Sequence, residues 1–132
     1  PYYLQSIDVE NRTARTITNA THAVAYDGTL YLCYSATDWA TYETVNKFFT
    51  YDVETAAIDT DSFLKGDNEE TASNSVYMME VNPNNGELFI GLAGNKFVSS
   101  GIVHRFEQDG TPIHRFDVQG PNPNQAAFVN YQ

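Results

Sequence analysis

The side chains best equipped for recognition lie in polar loops. Trp39, the sole tryptophan, stands with Tyr42 in Ala36-Thr37-Asp38-Trp39-Ala40-Thr41-Tyr42-Glu43, where hydrophobic periodicity gives the indole no obvious core duty. Two such rings offer stacking area, while Asp38, Asn46, Asn68, Asn95 and Lys96 offer an acid, three amides and an amine for orienting hydrogen bonds. That is the usual division of labour in a ligand pocket, so these seven residues are the candidate binding set. The competing reading of Trp39 is a loop aromatic folded back over its own strands.

Catalysis has a weaker footing. A nucleophilic Ser, Thr or Cys needs a base in reach and a third group to orient it, and no nucleophile-elbow motif occurs. His104 and His114 are each followed by Arg-Phe, which makes them equivalent positions of a repeated strand rather than an acid–base pair. The acidic group Asp67, Asn68, Glu69, Glu70 lacks the alternate-residue spacing of a calcium loop and reads as a solvated loop. One cysteine, Cys33, excludes an internal disulfide and a multi-cysteine zinc site; inside the apolar run Leu30 to Tyr34 it reads as a small buried hydrophobe. No catalytic residue, metal or cofactor is therefore expected. Seventeen acids against seven bases give a net charge of −10, a field that repels polyanions and makes nucleic acid a poor partner.

The elements that must position these loops are strands. Apolar alternation and turn chemistry predict strands near residues 3–9, 14–18, 22–27, 29–35, 47–53, 57–63, 76–82, 87–93, 101–107, 111–118 and 125–131, with no helix. Ala23-Val24-Ala25-Tyr26-Asp27-Gly28-Thr29-Leu30-Tyr31-Leu32 and Val81-Asn82-Pro83-Asn84-Asn85-Gly86-Glu87-Leu88-Phe89-Ile90 share one plan, an apolar run, a Gly-bearing turn and a second apolar run. Later strands repeat as well: Tyr51-Asp52-Val53-Glu54-Thr55 and Phe106-Glu107-Gln108-Asp109-Gly110, with a partial copy at Ile7-Asp8-Val9-Glu10-Asn11. The spacing is 44 residues from Asp8 to Asp52 and 55 from Tyr51 to Phe106. Repeats of short strands at this period predict a β-propeller, in which four-stranded antiparallel blades of roughly 40–50 residues surround an axis.

About two and a half such blades fit in 132 residues: a blade end at 3–18, blades at 22–63 and 76–118, and a closing inner strand at 125–131. The fold class expected is all-β, a propeller fragment whose end blades are covered by the rest of the ring or by other copies of the chain. Short turns fall at one end of each blade, including Gln108-Asp109-Gly110, where Gly110 is expected at positive φ. The longer connections Ser35–Asn46, Lys65–Asn74, Ala93–Gly101 and Gln119–Asn124 fall at the other end, and they carry the candidate residues.

The motif Val81-Asn82-Pro83-Asn84-Asn85-Gly86-Glu87-Leu88-Phe89-Ile90, followed by Asn95-Lys96-Phe97-Val98-Ser99-Ser100-Gly101-Ile102-Val103 and Asp109-Gly110, resembles the YncE-like, surface-layer-type (YVTN) β-propellers. The likeness is to the lipoprotein branch of gut bacteria, strongest over residues 76–131 and looser over 3–64. It implies an extracytoplasmic protein at the outer-membrane surface or in the periplasm of a bacterium. Members of that branch include lipoproteins that capture cobalamin for an outer-membrane uptake transporter and others with no assigned ligand, which makes a corrinoid one named ligand and a transporter one named partner. The matching residues form turns and strands, and none carries a corrinoid contact to this chain. The first blade departs from the pattern, with Tyr26-Asp27-Gly28 replacing the Asn-Pro turn. The primary expectation is a non-catalytic module that captures a small molecule or a partner protein on its long-loop face. A propeller lyase or hydrolase with its site at the central channel is the second, and a structural surface or adhesion protein the third.

Overall fold

The computed structural model describes residues 2–129 and shows an all-β chain folded into three antiparallel sheets. The first sheet pairs β1 (Tyr3–Asp8) with β2 (Thr13–Asn19). The second is a four-stranded meander of β3 (His22–Tyr26), β4 (Thr29–Asp38), β5 (Glu43–Asp52) and β6 (Ile58–Asp59). The third repeats that plan with β7 (Val76–Val81), β8 (Leu88–Leu92), β9 (Ile102–Phe106) and β10 (Pro112–Asp117). The β3–β4 turn closes on Asp27-Gly28 at φ 47° and 76°, the left-handed region that tight hairpins demand and glycine tolerates best.

The middle sheet explains why β4 reads as the unbroken apolar run Leu30-Tyr31-Leu32-Cys33. Both its faces are covered. Tyr31 and Cys33, with Phe48 of β5, meet Val76, Met79, Leu88, Ile90, Leu92, Ile102 and Phe106 of the third sheet. On the opposite face Leu32 and Tyr51 pack with Ala20, and Leu4 and Ile17 of the first sheet lie against them. Leu32, Leu88, Ile90 and Leu92 are fully buried, each stabilising the stack by about 1.5–3 kcal/mol. Cys33 is buried as expected, and desolvation pushes its thiol up to about 12.

Four expectations need correction. Strand propensity continues past the expected Ser35–Asn46 loop: β4 runs to Asp38 and β5 starts at Glu43, leaving a four-residue turn, 39–42. A Thr37–Thr44 hydroxyl pair at 2.8 Å and the Ala40 amide donating to Asp38 Oδ1 at 2.8 Å hold this extension. The strand expected over 57–63 lasts two residues, because Asp59 Oδ1 and Ser62 Oγ accept from the amides of Asp61 and Leu64 and turn the backbone out of the ladder. Helices are present: α1 (Glu69–Ser73) and a single 3-10 turn at Asn95–Phe97. The inner strand expected at 125–131 is not formed over 125–129, which carry no strand pairing; residues 130–131 lie outside the described residues.

Candidate functional site

The β4–β5, β8–β9 and 119–124 connections meet at one end of the sheets, whereas the 65–74 connection that carries Asn68 starts beside the β9–β10 turn at the other end. The β4–β5 turn brings Trp39 and Tyr42 against Phe97 of the β8–β9 connection. Trp39 and Phe97 stack at 5.4 Å between ring centroids, 27° from parallel, and Tyr42 meets Phe97 edge-on at 6.4 Å. Tyr77 of β7 completes the group, 6.2 Å from Phe97. Next to this group, Gly94 N–H donates to the Pro121 carbonyl at 3.2 Å and Gly101 N–H to the Gly120 carbonyl at 2.7 Å, so the 119–124 segment is tied to the same end.

Trp39 thus meets Tyr42 of its own turn edge-on at 6.4 Å as well as Phe97 of the neighbouring sheet. Its indole leans on the neighbouring sheet's loop and stays 65% exposed, with Tyr42 at 50%. A large apolar surface left open in this way is unfavourably hydrated, a cost that covering by a ring-bearing ligand would relieve. The backbone beneath it is unusual. Lys96 and Phe97 sit at φ 48° and 63°, consecutive left-handed residues in a loop held by the Asn95 N–H to Ser99 Oγ bond at 2.9 Å. Bulky residues there cost of order 1–3 kcal/mol each, and such strain tends to collect at recognition sites. Tyr42, at φ 58°, closes a hairpin and needs no such account.

Six of the seven candidates divide among three hollows. Trp39 borders one of about 530 Å3 with His22 and Tyr34. Tyr42, Asn95 and Lys96 line a groove of about 350 Å3 with Phe97 and Asn74. Asn46 and Asn68 face a third, of about 860 Å3, on the flank of β5. Asp38 is committed to its turn, and the Asn68 amide donates to the carbonyls of Lys65 at 2.9 Å and Gly66 at 3.2 Å. Asn46 is in a strand, where its Nδ2 donates to the carbonyls of Thr71 at 2.7 Å and Asn74 at 2.6 Å, tying the α1 segment to β5. Its Oδ1 is the one buried side-chain polar atom without a partner among the described residues. Sequence reasoning left Phe97 outside the binding set, although it shares a connection with Asn95 and Lys96; its contact with Trp39 spans 58 residues of chain.

Charged groups are arranged in pairs that brace the sheets. Arg105 grips Glu87 with Nε–Oε2 and Nη2–Oε1 contacts of 2.9 and 2.6 Å, which holds the Glu87 carboxyl below its usual range. Glu70 is not simply solvated: it accepts from Arg115 Nε at 3.2 Å and lies 3.2 Å from His104 Nε2, fastening α1 to β9 and β10. His104 and His114 lie on adjacent strands, each opposite an arginine in the register. Among the described residues no cluster of three or more His, Cys, Asp or Glu side chains is arranged to hold a metal ion. No helix of the described residues is long and apolar enough to cross a membrane.

No protein-family model matches the chain, and no curated protein matches it.

Proposed function

We propose that the chain is a section of an extracytoplasmic β-propeller that captures a flat, ring-bearing small molecule on its long-loop end. The single observation behind this reading is the platform of exposed Trp39 and Tyr42 against half-buried Phe97, built from the loops of two sheets over a strained backbone. The propeller assignment is supported by two successive four-stranded meanders packed face to face, with their first strands β3 and β7 side by side. The YncE-like resemblance is part of this proposal, as are a bacterial surface location and a transporter as partner. Lys96 and Asn95 flank the platform and would orient polar substituents of the ligand.

The open indole makes a direct test available. Trp39 is the only tryptophan, so its emission reports the platform alone. Titration of a corrinoid should change that emission saturably, and calorimetry should show Trp39→Ala weakening the affinity about tenfold or more, the 1.4 kcal/mol or greater loss typical of a stacking anchor. A corrinoid affinity unchanged in the variant would return Trp39 to a purely structural role.

A further inference from the structure

The largest of the three hollows belongs to none of the aromatic loops. It runs along the flank of β5, where β6 pairs only through Asp59 with Thr50 and Ile58 with Tyr51. β5 itself begins at Glu43, so on that side it has no strand neighbour from Glu43 to Phe49. β10, the corresponding fourth strand of the third sheet, instead follows β9 from Pro112 to Asp117. The space beside the shortened strand is a cleft of about 860 Å3, within the range of small-molecule sites. Alternate residues of β5 point to opposite faces, and both sets reach the cleft: Lys47 and Phe49 on one side, Asn46 and Phe48 on the other.

The chemistry of the walls is selective. The chain has 17 carboxylate side chains, yet none lines this cleft. Its polar groups are hydroxyls, such as Thr18 and Thr60, and amides, such as Asn19 and Asn46, beside the rings of Tyr34 and Phe49 and a single cation, Lys47. Hydroxyls and amides both donate and accept, which suits a ligand dense in hydroxyl groups. Aromatic faces suit the apolar C–H side of such a ligand. Asn46 adds a second pointer. It lines the cleft, and its Oδ1 is buried without a donor while its Nδ2 is fastened to the carbonyls of Thr71 and Asn74.

We infer that this cleft is a binding site for an uncharged, hydroxyl-rich ligand, a neutral saccharide of one or two rings. It is separate from the aromatic platform. Thr60 is the place to block it, because it is exposed, lies beyond β6 and lines the cleft.

The test uses the neutral disaccharides maltose, cellobiose and lactose, with glucuronate and an uncharged extended pentapeptide as comparison probes. Amide chemical shifts of the isotopically labelled protein are followed as each is added. A neutral disaccharide should bind saturably, with shifts concentrated at residues 46–49, 58–62 and 68–72. Thr60→Trp should weaken that binding at least tenfold while leaving the melting temperature unchanged, and Trp39→Ala should leave it within twofold. If Thr60→Trp lowers the melting temperature, the smaller Thr60→Phe takes its place. The inference is overturned if no neutral disaccharide shifts these amides, if blocking at Thr60 leaves the affinity intact, or if glucuronate or the peptide binds there more tightly. Loss of sugar binding on Trp39→Ala would also overturn it, by placing the sugar on the platform. Failure of the corrinoid titration leaves this site untouched.

Discussion

Replacing Gly110 with alanine should destabilise the protein far more than the same change at Gly28. Both glycines occupy hairpin turns at positive φ, 87° and 76°, so both substitutions force a side chain into a left-handed conformation at about 1–2 kcal/mol. Their surroundings differ. A Cβ at Gly28 meets nothing within 4 Å, whereas at Gly110 it would lie 1.7 Å from the Phe63 carbonyl oxygen and 2.8 Å from its carbonyl carbon. Neither atom is the end of a flexible side chain, so the Phe63–Lys65 backbone must move. That movement breaks the Lys65 N–H to Gly110 carbonyl bond of 2.9 Å, worth about 1 kcal/mol. It also disturbs the seat of Leu64, a buried core residue whose full burial contributes about 1.5–3 kcal/mol. Conformational strain and the lost bond give about 2–3 kcal/mol, rising to about 5 if Leu64 is expelled. Urea denaturation followed by far-ultraviolet circular dichroism would measure both variants. Gly28→Ala should lose about 1–2 kcal/mol and Gly110→Ala at least about 1 kcal/mol more. Equal losses would refute the close approach of the β9–β10 turn to the segment after β6.

Stability should fall in acid in two stages. Burial lowers the His22 imidazole below its ordinary value of 6.5, so the unfolded chain takes up that proton first and stability declines as the pH drops below 6.5. His22→Gln should remove this first stage in melting curves recorded between pH 7 and 5. Asp52 and Asp109 are held low by Thr55 and Thr111, and Glu87 by Arg105, so their contribution is present above the usual carboxylate range and is lost below it. A melting temperature that rose on acidification would contradict both assignments. Cys33, fully buried with its thiol held at about 12, should react with a thiol reagent at pH 8 only through unfolding, so labelling should accelerate steeply with urea. Labelling of the native protein at the rate of an exposed thiol would place Cys33 elsewhere.

The strands were legible because burial on one or two faces writes itself into local sequence. Leu30 to Cys33 and Leu88 to Leu92 are apolar without a break since neighbouring sheets cover them, and Asp27-Gly28 and Asp109-Gly110 mark turns whose φ values leave few alternatives. Strand ends were less legible. Thr41-Tyr42-Glu43 looks like loop by composition, and only the cross-strand match of Thr37 to Thr44 extends the hairpin to that point. Residues 60–63 look like strand by alternation, yet Asp59 and Ser62 give the backbone a competing set of bonds.

The candidate site divides in the same way. Sequence alone singled out Trp39 as an aromatic without core duty and placed its loop at the same end as Asn95 and Lys96, because strand parity assigns successive connections to opposite ends. Which residues share a hollow was settled by packing between sheets. Phe97 reaches Trp39 across 58 residues, Glu70 joins His104 and Arg115, and Asn46 holds α1 against β5 while its own carbonyl oxygen goes without a donor. Such contacts depend on distances between elements far apart in the chain, and no local periodicity encodes them. Which side chains carry rings and polar groups in the connections is fixed by composition and spacing; which of them share a hollow is fixed only when the sheets stack.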